Sequence, residues 1–343
     1  MSHYRAAIIG TGRIASLLEK DPLRAKPHSH AGWYKQHPNI ELVGGADIDK
    51  QRLADFGRDW GIPDGHLFTD YREMLDCLRP DLVSICAFAP QRLEMIQASI
   101  EAGARGLWIE KAIACSLAEA EALERLLRES RVKAIVDHPR RAQPGYRAVK
   151  RIIDEHVLGD LLAVTCMMSG NLIHTGTHAY DMLQFWCGDM QGAVGWLEKP
   201  IPPAGPIKDC GGNGHIVFRS GVHAFIVGNT RDYYIFQFDL AFTHGRIQIG
   251  NDICKVLGPG PSKFYSGFEE LFEDPDFELD DPYPYPMVYD LIHAMETNEE
   301  PVMSVGNAIA AFKMGLALFQ SQREGHRFIS PAELDPSLRI ESI

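Results

Sequence analysis

Two textures of apolar residues divide the chain. Up to about residue 139, short β-branched runs alternate with stretches whose apolar positions recur at helical spacing. Ala6-Ala7-Ile8-Ile9, Ile40–Ala46, Asp81–Cys86, Leu107-Trp108-Ile109 and Lys133–Val136 read as strands. Arg13–Glu19, Lys50–Trp60 and Leu117–Glu129 read as helices. That order predicts an α/β domain, a doubly wound parallel sheet of Rossmann type. Beyond Arg140 the strands follow one another across short Gly- or Asp-containing turns: Leu161–Thr165, Val194–Leu197, His215–Phe218, Ala224–Val227, Ile235–Phe238 and Arg246–Ile249. Such a series predicts an α+β domain with a largely antiparallel sheet. Helices are expected at about Tyr146–His156, around His178, at Met287–Thr297 and at Ala308–Arg323, with a Pro-, Tyr- and acid-rich loop from Pro261 to Pro286. The predicted domains are residues 1–139 and 140–343.

Composition narrows the class of molecule. With 45% apolar and 23% charged residues, the 343-residue chain is globular and long enough for two cores. No apolar run approaches the ~20 residues that cross a bilayer. Seven cysteines without a Cys-x-x-Cys pair predict reduced thiols, a cytoplasmic address and no cysteine-built zinc site. A net charge of −12 speaks against nucleic acid or anionic membranes as partners. Much of that charge lies between Glu269 and Asp281, a stretch read as a solvated loop.

The first strand runs into Gly10-Thr11-Gly12-Arg13-Ile14-Ala15, a match to G-x-G-x-x-G/A. Gly10 permits the tight turn, Gly12 lets backbone N–H groups reach a pyrophosphate, and Ala15 keeps the next helix close to the sheet. Gly10, Thr11, Gly12, Arg13 and Ile14 therefore form the expected dinucleotide cradle. Asp47, ending the second strand, is placed to accept hydrogen bonds from the adenosine ribose and to repel a 2′-phosphate, which favours NAD. Its rival role is to cap the next helix. NADP stays open, because Lys50 and Arg52 could neutralise a phosphate. The spacing from the glycines to Asp47 exceeds the usual ~20 residues. The excess falls in Asp21–His30, which reads as an insertion after the first helix.

Three further segments carry a family resemblance. Glu110-Lys111-Ala112 follows a strand and resembles a Glu-Lys-Pro motif; His174-Thr175-Gly176-Thr177-His178-Ala179-Tyr180-Asp181 resembles Asp-x-Gly-x-His-x-x-Asp. The run from Ala308 to Gly325 is similar to the last helix of the same family. Together with the glycine fingerprint, and in this order, they resemble the Gfo/Idh/MocA oxidoreductases, relatives of glucose–fructose oxidoreductase and inositol dehydrogenase. The resemblance implies bound NAD or NADP, with Glu110 and Lys111 at the cofactor. It also implies hydride transfer at a carbinol carbon of a sugar, cyclitol or related polyol, and a homodimer or homotetramer built through the C-terminal sheet. Two positions depart from the pattern. Ala112 replaces the proline that favours a cis peptide bond, and His174 replaces the aspartate.

Oxidising a secondary alcohol requires a group that takes the hydroxyl proton while a hydride leaves the carbon. A neutral imidazole at His178 suits the proton, the Lys111 ammonium suits the alkoxide, and His174 suits a substrate hydroxyl or a relay. His174 and His178 share a face if their segment is helical, but no third ligand accompanies them, so no metal site is expected. Asp181 reads as a residue that fixes geometry. His138, Arg140 and Arg141 read either as contacts to an anionic ligand or as structural residues at the junction. Aromatic residues of the 261–286 loop, among them Phe264, Tyr265, Phe268, Tyr283 and Tyr285, could pack on a sugar ring. Two rival functions remain at this level: a non-catalytic dinucleotide sensor, and a hydrolase or lyase that oxidises its substrate only transiently.

Overall fold

The computed structural model describes residues 3–202, 205–274 and 287–342. The chain forms two compact units, Met1–Pro139 with Pro284–Ala308, and Arg140–Tyr283 with Ile309–Ile343. None of the described helices is long and apolar enough to cross a membrane.

In the first unit six parallel strands are β1 (Tyr4–Ile9), β2 (Ile40–Ala46), β3 (Leu67–Phe68), β4 (Leu82–Ile85), β5 (Gly106–Ile109) and β6 (Lys133–Val136). They lie in the order β3-β2-β1-β4-β5-β6, the doubly wound order expected of a Rossmann domain. Ala6, Ala7, Ile8, Val83, Ile85, Leu107 and Ile109 are all fully buried, as strands covered on both faces must be. Helices α1 (His30–Gln36), α2 (Lys50–Trp60), α3 (Tyr71–Leu78), α4 (Arg92–Glu101) and α5 (Leu117–Ser130) supply the cover. The strand order reverses between β1 and β4, and a sheet of this kind binds ligands at the carboxyl edge beside that point.

The helix expected over Arg13–Glu19 does not form. After Gly12 the backbone makes a wide turn, with Leu17 N–H donating to Gly12 O and Leu18 N–H to Arg13 O, and then a short 3-10 turn at Leu17–Lys20. Pro22 excludes the helical region for Asp21, which is extended. Glu19 is used differently: its carboxylate accepts the N–H groups of His28 and Ser29, at 2.9 and 2.8 Å. Ser29 in turn caps α1 by accepting from Gly32 N–H at 3.0 Å. The inserted segment therefore ends by starting a helix, with His30 as its first residue.

Met287–Thr297 (α8), expected within the C-terminal half, packs on β5 and β6. A Cβ on Gly106 would come 2.5 Å from Met295 Sδ, so glycine lets the helix approach the sheet. Asp290 of this helix accepts from Val302 and Met303, and Met303 O receives Val136 N–H at 2.9 Å. Apolar periodicity marks such a helix but not the sheet it returns to.

The second unit is built on an eight-stranded sheet. Its strands are β7 (Leu161–Met168), β8 (Met190–Leu197), β10 (Gly212–Phe218), β11 (His223–Gly228), β12 (Phe236–Phe242), β13 (Gly245–Gly250), β14 (Cys254–Pro261) and β15 (Glu269–Glu273). The order is β15-β14-β13-β12-β7-β11-β10-β8, antiparallel throughout except for β7 beside β11. A separate pair joins β9 (Ile207–Lys208) to β16 (Ile340–Glu341). Alternate residues such as Val164, Cys166, Ile226, Phe238 and Ile247 face a core shared with α6 (Pro144–Asp154), α7 (Gly176–Cys187) and α9 (Val305–Arg323). Trp186 stacks on Tyr146 and meets Phe238 edge-on at 5.0 Å. A Cβ at Gly195 would lie 2.3 Å from Leu318 O, so α9 seats on β8 only where the strand lacks a side chain. The acidic stretch expected to be a loop contains β15, an edge strand whose exposed glutamates suit an edge. Tyr283 and Tyr285 lie outside the described residues.

Candidate active site

The glycine loop has the geometry of a dinucleotide cradle. Gly10 has φ +87°, and a Cβ there would lie 3.1 Å from the Cys86 carbonyl carbon. Only glycine makes this turn against the end of β4. Over Gly12, a Cβ would meet Arg52 Nη1 at 4.0 Å, and the approach to the backbone is open. Thr11 and Ala15 are fully buried, while Arg13 is exposed and Ile14 half-buried. The Asp47 carboxylate accepts from Thr11 N–H at 2.8 Å, Thr11 Oγ1–H at 3.1 Å and Asp49 N–H at 2.9 Å. Arg52 Nη1 stands 3.5 Å from it. The cap of α2 is Asp49, which accepts from Gln51 and Arg52, so Asp47 does not fill the capping role. The turn, the open approach and the strand-end carboxylate fit a dinucleotide.

Lys111 leaves the carboxyl end of β5, on the same edge of the sheet. The Lys111–Ala112 peptide bond is cis, although alanine stands where the motif has proline. Arg92, buried in α4, donates to Ala112 O and, at 2.7 Å, to Ala87 O, tying the segment after β5 to the segment after β4. Burial pulls its guanidinium down to about 10.

Glu110 turns inward, into a cluster that sequence reasoning missed. His30 Nε2 is 3.2 Å from Glu110 Oε1 and 3.8 Å from Asp137 Oδ2, and the three residues are 1%, 7% and 9% exposed. One donor or acceptor atom from each lies within 4.8 Å of the others. His30 Nδ1 is 2.9 Å from Ser84 Oγ, which donates to Tyr34 Oη at 2.7 Å. The imidazole stacks on Trp108 at 3.7 Å between centroids. Burial and then the charge of Glu110 push Asp137 up to about 7. Burial also opposes ionisation of Glu110, but contact with His30 and a hydrogen bond with Asp137 hold it down at about 2. Burial disfavours an imidazolium, yet Cys86, Asp137 and Glu110 together raise His30 well above its ordinary range. The available signals were slight: a histidine inside an insertion, and an aspartate ending a parallel strand.

The second unit carries the other candidates. His178 is half-buried in the first turn of α7; His174 is exposed in the turn before it, not in the helix. Asp209, just after β9, accepts from Ile173 N–H at 2.9 Å and from His174 N–H at 2.7 Å, and burial raises its pKa. A buried carboxylate thus stands at the backbone of position 174 where the motif would place one on the side chain. Only the tertiary fold reveals it. Asp181 is paired with Arg141, Nη2 to Oδ1 at 2.9 Å, both buried, and Arg141 also reaches Gln184 Oε1 at 2.6 Å. That pair is structural, as one of the two readings of Arg141 required. Arg140 lies over the Phe236 ring at 3.9 Å and bonds Asn251. His138 is buried. Phe264, Tyr265 and Phe268 are exposed between β14 and β15.

Comparison with known proteins agrees with this architecture. Residues 4–138 match the GFO_IDH_MocA model, an oxidoreductase family with an NAD-binding Rossmann fold. Dehydrogenase aclE of Aspergillus oryzae is 37% identical over 172 residues, which are 49% of this chain and 44% of that protein. D-apiose dehydrogenase of Paraburkholderia graminis is 26% identical over 159 residues, 46% of this chain and 38% of that one. The matched stretches thus span less than half of either relative. The fold extends further: the WlbA dehydrogenase of Bordetella pertussis, solved with NADH and UDP-GlcNAcA, superposes with TM-score 0.75 at 16% identity over 96% of this chain and 98% of that one. The six-stranded parallel sheet and its glycine loop thus lie in the part of the chain that matches the Gfo/Idh/MocA oxidoreductase family.

Proposed function

We propose that the protein is an NAD-linked dehydrogenase or reductase acting at a carbinol carbon of a sugar, cyclitol or related polyhydroxylated molecule. The carrying observation is the loop Gly10–Gly12, joined through Thr11 to the strand-end carboxylate of Asp47, on the same sheet edge as Lys111. NAD, when bound, accepts the hydride. Asp47 receives the ribose hydroxyls, and Arg52 beside it is the group that would meet a 2′-phosphate if NADP bound instead. The Lys111 ammonium stabilises the oxygen as it becomes an alkoxide, and neutral His178 takes its proton. His174, exposed in its turn, binds a neighbouring hydroxyl or relays the proton.

The names of the relatives support a carbohydrate substrate, one being a D-apiose dehydrogenase and one a dehydrogenase solved with a nucleotide sugar. Assembly as a homodimer or homotetramer is proposed through the outer face of the eight-stranded sheet, where Trp196 and Phe225 are exposed and Phe225 stacks on His215. Light scattering of the purified protein tests the assembly. A screen of sugars, cyclitols, sugar acids and nucleotide sugars for NADH formation tests the activity. Tight NADH binding with no turnover would indicate a sensor; substrate conversion without net NADH would indicate a transient oxidation.

A further inference from the structure

The buried cluster at the carboxyl edge of the parallel sheet has no place in the chemistry above, and its geometry suits a charged imidazole. Ser84 Oγ is 2.7 Å from Tyr34 Oη and 2.9 Å from His30 Nδ1, so it can accept a hydrogen from Nδ1 while its own goes to Tyr34. Nε2 faces oxygens of Glu110 and Asp137, which a lone pair would repel, so it carries one too. An oxygen of Glu110 and one of Asp137 lie within 4.8 Å of each other, a spacing at which two buried ionised carboxylates repel, so the pair holds one proton. The face of Trp108 beneath the ring suits a cation. The other groups facing the cluster are the Cys86 thiol after β4, Arg92 of α4 toward Glu110, and Lys111.

We propose that His30 is an imidazolium that clamps Glu110 and Asp137, and that this clamp is a positioning device for Lys111. It fixes the ends of β5 and β6 with a residue from the insertion, and it leaves Lys111 beside a cluster of zero net charge: one cation, one carboxylate and one carboxylic acid. Without the cation the same cluster would be negative and would hold the lysine more firmly as an ammonium. The delivery is local. Glu19 fixes Ser29, Ser29 caps α1, and His30 follows as its first residue. The catalytic meaning of the clamp rests on the role proposed for Lys111, but its protonation does not.

The test uses the whole chain and no substrate. In wild-type protein labelled with 15N-histidine, His30 is identified by its contacts with Trp108. Both its ring nitrogens should remain protonated at about pH 8, well above the ordinary ~6.5. Competitive acetylation read by mass spectrometry then follows the reactivity of Lys111 as a function of pH. In folded His30→Gln, Lys111 should acetylate at least ~3-fold more slowly at a pH below its pKa, because the lost cation leaves the neighbourhood negative. A neutral His30 near pH 7, or unchanged Lys111 reactivity in the folded variant, overturns the proposal. So does stoichiometric Zn2+ or Mn2+ that copurifies with wild-type protein and is lost in His30→Gln, since a metal would replace the protons. If His30→Gln does not fold, the wild-type spectrum decides. Neither readout involves turnover, so a failure of the dehydrogenase reading leaves both measurements interpretable.

Discussion

Asp47 accepts the backbone N–H of Thr11 at 2.8 Å, so one carboxylate both closes the glycine loop and stands at the end of β2. The same oxygen lies 3.5 Å from Arg52, which places the groups that favour and disfavour a 2′-phosphate side by side. Replacing Asp47 with Ser should weaken NADH binding by about tenfold, the scale of one or two lost charge-assisted hydrogen bonds, while NADPH binding holds or improves. Fluorescence titration with both cofactors measures this. Tighter binding of NADPH than NADH by the wild-type protein would contradict the role given to Asp47.

The Arg141–Asp181 pair should matter for stability and not for chemistry. Both side chains are buried, and removing one leaves the other as an uncompensated charge. Asp181→Ala is expected to cost about 3–5 kcal/mol in urea unfolding. A loss below about 1 kcal/mol, the range of exposed pairs, would show that the bridge is solvated.

Stability should carry a signature of the His30 cluster. Asp137 is raised from 3.8 to about 7, so between these values the folded protein holds a proton that the unfolded chain has released. Its contribution therefore declines as pH rises through that window. His30 acts in the same sense: its contribution is complete below the ordinary histidine range and is lost as pH climbs through its raised value. Glu110, held at about 2, acts oppositely and only in acid. Urea midpoints measured from about pH 4 to 8 should fall more steeply for wild-type protein than for Asp137→Asn. Parallel curves would remove Asp137 as the titrating group.

The difference between His174 and the aspartate of the family motif has a kinetic consequence. A carboxylate at 174 would favour imidazolium at His178, whereas a neutral imidazole does not. His174→Asp should shift the acidic limb of the kcat/KM profile for oxidation upward. Because position 174 is exposed, the shift should stay below ~1 unit. A shift downward would mean that His178 is not the base.

What the sequence made legible follows from what periodicity records. Buried parallel strands and the helices Lys50–Trp60 and Met287–Thr297 announce themselves through apolar spacing, and the glycine turn through its φ requirement at Gly10. Arg13–Glu19 has helical spacing, but Pro22 and the use of Glu19 to anchor Ser29 decide otherwise. Glu269–Glu273 looks like a loop because an edge strand tolerates charges that a central strand would not. His30 lies 80 residues before Glu110 and 107 before Asp137, and only the parallel sheet brings them together. Asp209 likewise reaches the turn before α7 from the end of a two-residue strand.

Hydride transfer itself is tested most directly by NADH formation in the carbohydrate screen, repeated with Lys111→Ala and His178→Ala on any substrate found. The expected result is net NADH from at least one polyhydroxylated compound, with kcat reduced by ~100-fold or more in each variant and cofactor binding retained. Substrate turnover that proceeds equally well in both variants, or NADH binding without oxidation of any compound in the panel, would contradict it.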